Sequence, residues 1–411
     1  MLKVVHLQTL ISYHGNAPLR LHQAMVNHGI DSKMIVYNTP RAATSNFFRY
    51  SGLIKQIKIY IYSLFQKNLS KHKNPGTYLF SYPKFIGNKV HKKKLLKDAD
   101  VIYLHWIVGG FLNFENLESI FKLGKPVIFY MHDMWPITGG CHHSFDCQGY
   151  RTNCEYCPMF INKTKNSFAS NEFLIKKSLY EKYNNLYFIS PSKWLLESAK
   201  SSGLLVNKNI FHIPNIVDET IFKKVDKFTA KSILNFKQDA FIISFGCVAG
   251  KNNKYKGWQY LQEALNLIYK ENKNYNFNII IFGSDYDEIT EQLIPFPVQF
   301  LGSINDEISM VILNNATDLF ISPSLAESFG QTFLENIMCG TPVVGFDVGG
   351  VSEIIKHKYN GYLAEYQSSE DLAKGILYCY YNRLNFDRPK QYFSKLTVDK
   401  HVDVLNLLLN S

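Results

Sequence analysis

The sequence predicts an α/β protein of two open, doubly wound parallel sheets. Three observations carry this. Short apolar runs alternate with helical patterns through the first half, the alternation restarts at "FIISFG" (241–246), and 411 residues suffice for two cores. Runs that are apolar throughout suit parallel strands covered on both faces.

In the first half "KVVHLQTL" reads as a buried strand and "HGNAP" as a turn. Pro18 suits the first position of the helix "LRLHQAMVNHG", which Gly29 stops. "KMIVYN", "VIYLHW", "PVIFYMHD", "LYFISPS" and "IFHIPN" continue the strand series. In the second half the strands are "FIISFG", "FNIIIFGS", "VQFLGS", "DLFISPS" and "TPVVGFD", each followed by a helix. The charged stretch 218–240 lacks a strong strand and marks a junction. The expected division is therefore an N-terminal domain 1–217, a C-terminal domain 218–385, and a helical segment 386–411 that packs back.

Apolar residues make up 46% and charged residues 19%, which excludes a disordered chain. "MLKVVHLQTL" reads as a first strand rather than a secretion segment. The longest apolar runs fall short of the ~18 residues a spanning helix needs. The expectation is a cytoplasmic protein with reduced cysteines. The net charge of +11 is uneven: Arg49 to Lys97 holds twelve Lys or Arg and no Asp or Glu. Lysines interleaved there with Ile59, Tyr60, Ile61, Tyr62, Leu64 and Phe65 suit peripheral contact with an anionic membrane. No nucleic-acid motif accompanies the charge, so a nucleic-acid partner is not expected.

Open α/β sheets bind ligands beyond the carboxyl ends of their strands, and two such sheets suggest a ligand between them. The first strand ends near Gly15, where a backbone can approach a ligand closely. "VIYLHW" offers His105, and "PVIFYMHD" offers His132 and Asp133; a histidine beside a carboxylate can hydrogen-bond a substrate hydroxyl. In the second half "FGCVAGKNNKYKG" departs from a P-loop, but Lys254 and Lys256 before a helix suit a diphosphate.

The densest signal is "SLAESFGQTFLENIMCGTPVVGFDVGG". Glu327 sits in a loop and Glu335 on the helix that follows. Backbone N–H groups around Ser328, Phe329, Gly330, Gln331 and Thr332 suit phosphate oxygens. Carboxylates accept hydrogen bonds from paired hydroxyls, so one glutamate for each sugar of a nucleotide sugar is the expected arrangement. The triplets "DAD" (98–100) and "DYD" (285–287) read as capping or turn chemistry rather than a metal site.

Cys141, Cys147, Cys154 and Cys157 are spaced C-x5-C-x6-C-x2-C. Four thiols in so short a stretch of a cytosolic protein suit a structural zinc; a disulfide pair and four free thiols are the alternatives. Cys247, Cys339 and Cys379 read as ordinary core residues.

"ESFGQTFLE" with "CGTPVVGFDVGG", "KG" at 256–257, "SPS" at 322–324 and "IPNIVD" at 213–218 together resemble the retaining glycosyltransferases of family 4, with the GT-B fold. The resemblance implies a nucleotide-sugar donor (UDP or GDP), catalysis without a metal cofactor, Glu327 near the transferred sugar, Glu335 on the ribose, Lys256 on the diphosphate and His132 at the reacting centre. One position departs: many members carry "GR" where this chain has Gly246-Cys247, and Lys254 is the candidate replacement charge. "HDMWPITGGCHHSFDCQGYRTNCEYCP" resembles a subgroup found with bacterial capsule, exopolysaccharide or lipopolysaccharide genes. That implies a lipid-linked glycan acceptor, approached by His105 and Asp133, at the inner face of the cytoplasmic membrane. A nucleotide-sugar epimerase or hydrolase, or a non-catalytic sugar-nucleotide or partner-binding protein, are the competing readings.

Overall fold

In the computed structural model, residues 1–12, 16–50, 55–246 and 254–410 are described. Seven strands form the first sheet: β1 (Lys3–Leu10), β2 (Asp31–Asn38), β3 (Phe47–Arg49), β4 (Val101–Leu104), β5 (Val127–Tyr130), β6 (Leu186–Ser190) and β7 (Asn209–His212). Six form the second: β8 (Phe241–Gly246), β9 (Phe277–Phe282), β10 (Val298–Phe300), β11 (Leu319–Ser322), β12 (Val343–Phe346) and β13 (Gly361–Ala364). The orders are β3-β2-β1-β4-β5-β6-β7 and β10-β9-β8-β11-β12-β13. Pairings within both sheets are parallel, as in β1–β4 and β8–β11.

The central strands are buried along their whole length, as in β4, β5, β11 and β12. Helices cover both faces, so side chains of either parity leave water. Each buried Ile, Val or Phe contributes about 1.5–3 kcal/mol, which explains the near-continuous apolar runs. Two short strands, β3 and β13, carried no clear sequence signal. Both are edge strands held by one neighbour.

The chain divides into two compact units, Met1–Asn215 with Lys395–Ser411, and Ile216–Ser394. The expected boundary at 217/218 compares with 215/216 here. The expected terminal segment 386–411 is split: 386–394 belongs to the second unit, and nearly all of the helix Ser394–Asn410 belongs to the first. That helix buries His401 against the first sheet, where Tyr103 Oη lies 3.1 Å from His401 Nδ1.

The part of the basic stretch that holds Ile59 to Phe65 is the helix Lys55–Ser70. The lysines of the stretch are not uniformly solvated. Lys58 donates to Gly87 O (2.7 Å) and Asn88 Oδ1 (3.1 Å), and Lys73 donates to Tyr78 O (2.6 Å). Phe65 turns inward against Tyr82, whereas Ile57, Tyr60, Ile61 and Leu64 are exposed. In "DAD" Asp100 Oδ2 accepts from Lys3 N at 2.8 Å; in "DYD" Asp287 precedes the helix Glu288–Leu293 and its carboxylate accepts from the Thr290 hydroxyl.

Candidate functional site

In the second unit β8 and β11 are neighbours in space but distant in sequence, so the chain leaves them in opposite senses. That switch point is where open sheets bind ligands. Residues 323–330 run from β11 into the helix Gln331–Met338. Leu325 N–H donates to Tyr255 O (2.7 Å), joining this loop to the one that follows β8. Gly257 opens the helix Trp258–Glu271 with φ +70°, and a Cβ there would stand 1.8 Å from Pro323 O. Only glycine permits that approach. It brings Lys256 against the β11 loop, with Nζ 3.6 Å from Glu327 Oε2.

The "VGG" stretch clasps Glu327 from the other side. Gly350 N–H donates to Glu327 O at 3.0 Å. Gly349 has φ +59°, and its Cβ would meet that same oxygen at 1.8 Å. Glu327 is thus met by two other segments, the "VGG" stretch at its backbone and Lys256 at its side chain. Helix Gln331–Met338 buries Phe333, Leu334, Ile337 and Met338, and Glu335 is only 7% exposed. The first N–H groups of a helix have no intrahelical acceptor and favour an anion.

Ser328 and Phe329 are buried here, and Phe329 stacks edge-on against Tyr392. Gln331 Nε2 donates to Ile216 O at 3.4 Å. These side chains serve the protein, so the stretch 328–332 offers a ligand its main chain. Gly15, Cys247 and the side chain of Lys254 lie outside the described residues.

In the first unit His132 follows β5 and His105 follows β4. His105 Nδ1 lies 2.9 Å from His132 Nε2, and His105 Nε2 lies 2.9 Å from His6 Nδ1. His105 is 4% exposed with both ring nitrogens engaged. Its ring therefore meets its neighbours His6 and His132, where the sequence reading had it approach an acceptor. Burial holds His6 and His105 well below the usual histidine range and brings His132 to about 4. All three rings are neutral at neutral pH.

Asp133 is likewise committed to its own loop. Its Oδ2 lies 2.6 Å from His142 Nδ1, and its Oδ1 accepts from Trp135 N at 2.8 Å. Burial pushes its pKa up, but the His142 ring and the Trp135 N–H outweigh that and hold it below the ordinary value. The sequence reading missed His6, the "VGG" clasp and a buried ion pair, Lys176–Glu172 (2.7 Å). Lys176 also donates to Trp135 O (2.6 Å) and Thr138 O (3.0 Å), fastening the loop after His132. The i,i+4 spacing of a Glu and a Lys on helix Phe168–Lys182 was the available signal, but such pairs are usually exposed.

Among the described residues the four cysteines of the 141–157 loop form no disulfide. All four line one cavity of about 20 Å³ with Gly139 and Glu155. Two sulfurs accept backbone N–H groups, Cys154 from Gly139 (3.2 Å) and Cys147 from Gly149 (3.4 Å). Among the described residues, no three His, Cys, Asp or Glu side chains already stand in a metal-holding arrangement.

Residues 226–393 match the family described as glycosyl transferases group 1. An uncharacterised glycosyltransferase of Methanocaldococcus jannaschii is 32% identical over 298 residues, 67% of this chain and 71% of that protein. A D-inositol 3-phosphate glycosyltransferase of Pseudarthrobacter chlorophenolicus is 30% identical over 141 residues, 30% of this chain and 31% of that protein. Among solved structures, Anabaena HepE in complex with UDP and glucose superposes with TM-score 0.59 at 15% identity, covering 100% of this chain and 98% of that one. WaaG, a glycosyltransferase involved in lipopolysaccharide biosynthesis, gives TM-score 0.60 at 13% identity over 99% and 97% of the two chains. These likenesses identify the two parallel sheets as a GT-B fold. With a glycosyltransferase relative aligned over two thirds of both chains, and the family pattern spanning the Glu327 loop, this protein belongs to the group 1 glycosyltransferases.

Proposed function

We propose that this glycosyltransferase moves a sugar from a nucleotide-sugar donor, UDP- or GDP-linked, to a lipid-linked glycan acceptor with retention of anomeric configuration. The observation that carries the donor reading is the juxtaposition of Lys256 and Glu327 at the β8/β11 switch point, beside a helix N-terminus. Lys256 and the main chain of 328–332 take the diphosphate. Glu327 takes hydroxyls of the transferred sugar, and Glu335 takes the ribose. HepE, whose structure holds UDP and glucose, supports this class of donor. Catalysis then rests on positioning and on stabilising the departing diphosphate, without a metal cofactor.

A membrane-surface acceptor is favoured by helix Lys55–Ser70. Ile57, Tyr60, Ile61 and Leu64 form an exposed i, i+3, i+4, i+7 stripe beside Lys67 and Lys71, and that charge suits anionic lipid. No helix among the described residues is long and apolar enough to cross a membrane. Placement at the inner face of the cytoplasmic membrane, in capsule, exopolysaccharide or lipopolysaccharide assembly, is part of the same reading. The four cysteines are proposed as a structural zinc site, because all four face one cavity and an S4 donor set suits that ion. Zinc would draw the loop inward and fasten the segment after His132.

The deciding experiment is a donor screen by thermal shift followed by product analysis. A UDP- or GDP-sugar should raise the melting temperature by mass action. Sugar release only when acceptor is supplied separates a transferase from an epimerase or hydrolase. A donor that neither stabilises nor is consumed would leave the non-catalytic reading.

A further inference from the structure

Three neighbouring strands of the first unit each supply one histidine, and their rings are joined in series. His6 lies on β1, His105 follows β4 and His132 follows β5. The links are His6 Nδ1 to His105 Nε2 and His105 Nδ1 to His132 Nε2, both 2.9 Å. His6 is fully buried, and its other nitrogen, Nε2, is buried with no hydrogen-bond partner among the described residues. Its surroundings are other rings: Tyr103 stacked at 4.9 Å and His22 at 5.8 Å, with His401 also close enough to interact. Asp133 is the charged neighbour at the His132 end.

A neutral imidazole has one N–H and one lone pair, and each link needs one of each. Three neutral rings in series therefore share a single direction. In one direction His132 donates inward through Nε2–H, and the buried end of the series is an N–H on His6 Nε2 with nothing to receive it. In the other, His6 Nδ1–H donates to His105, His105 Nδ1–H donates to His132, and only a lone pair is left unmet at His6 Nε2. An orphaned buried donor is the costlier defect.

We infer that His105 is a positioning residue: its Nδ1–H occupies His132 Nε2 and so keeps the His132 proton on Nδ1, making His132 a hydrogen-bond donor to a sugar oxygen rather than a base. This rests on the reading of His132 as the histidine at the reacting centre. It also fits a transfer in which the departing phosphate takes the acceptor proton, because a protein base is then unnecessary. The partner of the Nδ1–H is an oxygen of a carbohydrate, the ligand class with hydroxyl and ring acceptors in place.

The test is long-range 1H–15N spectroscopy of the full-length protein labelled at histidine, near pH 7.5, with signals assigned by single variants. The expected result is a neutral Nδ1–H ring at His6, His105 and His132. An Nε2–H or cationic ring at His132 overturns the inference. His105→Phe should leave His132 a mixture of tautomers and lower turnover about tenfold, with KM for the nucleotide sugar unchanged. The wild-type tautomer and turnover in that variant overturn it too. If the variant does not fold, the wild-type spectrum decides alone. The spectrum needs no substrate, so a failure to detect sugar transfer would count against the transferase reading while leaving the tautomer result standing.

Discussion

Lys256 Nζ and Glu327 Oε2 stand 3.6 Å apart, joined across two loops that the sequence separates by seventy residues. The pair is part-exposed, so as a surface ion pair it contributes little stability. Its value on the proposed reading is positional: it holds an ammonium beside a carboxylate where a diphosphate and a sugar would meet. Lys256→Met should weaken binding of the nucleotide diphosphate by about tenfold to a hundredfold, the range for a charge-assisted hydrogen bond. Calorimetric titration of the free nucleotide checks this; unchanged affinity would remove Lys256 from the diphosphate.

Glu335 is a nearly buried carboxylate inside a helix otherwise packed by Phe333, Leu334, Ile337 and Met338. Glu335→Ala should cost about tenfold in affinity for the free nucleotide, the loss of one or two hydroxyl contacts. Comparison with the 2′,3′-dideoxynucleotide is the control. If the variant discriminates the two as the wild type does, the ribose assignment fails.

Stability should depend sharply on acid. Burial lowers the pKa of His6 and His105 well below 6.5, of His22 and His132 to about 4, and of His401 to about 3. Below about pH 6.5 the unfolded chain binds protons that the folded unit refuses, so stability falls with pH, by up to about 1.4 kcal/mol per pH unit for each histidine. Glu172, raised by burial from 4.5 to about 7, acts oppositely and disfavours folding as pH rises through that interval. Five histidines outweigh one glutamate. The melting temperature of the first unit should drop steeply between about pH 6.5 and pH 4.5; a flat profile would contradict the neutral, buried state of these rings.

Metal analysis tests the cysteine loop. The wild-type protein should carry one zinc per chain, and Cys154→Ser should lose it and lower the melting temperature. Wild-type protein purified with zinc present yet free of the metal would end the idea.

Membrane contact is tested by co-sedimentation with anionic vesicles. Ile61 is 48% exposed on the outer face of its helix, so Ile61→Glu should leave folding intact. It should reduce vesicle binding about tenfold, through lost apolar burial and an added negative charge. Equal binding by both proteins would free this face from the membrane role.

Much was legible in the linear chain. Parallel strands buried on both faces announce themselves as apolar runs, and β1, β4, β5, β8 and β11 read that way. The edge strands β3 and β13 did not, because three or four residues with one neighbour need little apolar character. Glu327 and Glu335 were readable as a spacing within one segment. His6 was not, because a polar residue inside a buried strand has no local signature of its partner.

By itself the sequence determined the α/β class, the two sheets, the glutamate pair and the lysine that precedes Gly257. Those features are local: periodicity, turn chemistry and short spacing survive in one dimension. Only the tertiary structure decided that Lys256 reaches Glu327, that Gly349 clasps its backbone, and that His105 is buried between His6 and His132. Each depends on which strands become neighbours, and parallel pairing joins residues roughly twenty to a hundred apart at a cost that only the finished core repays.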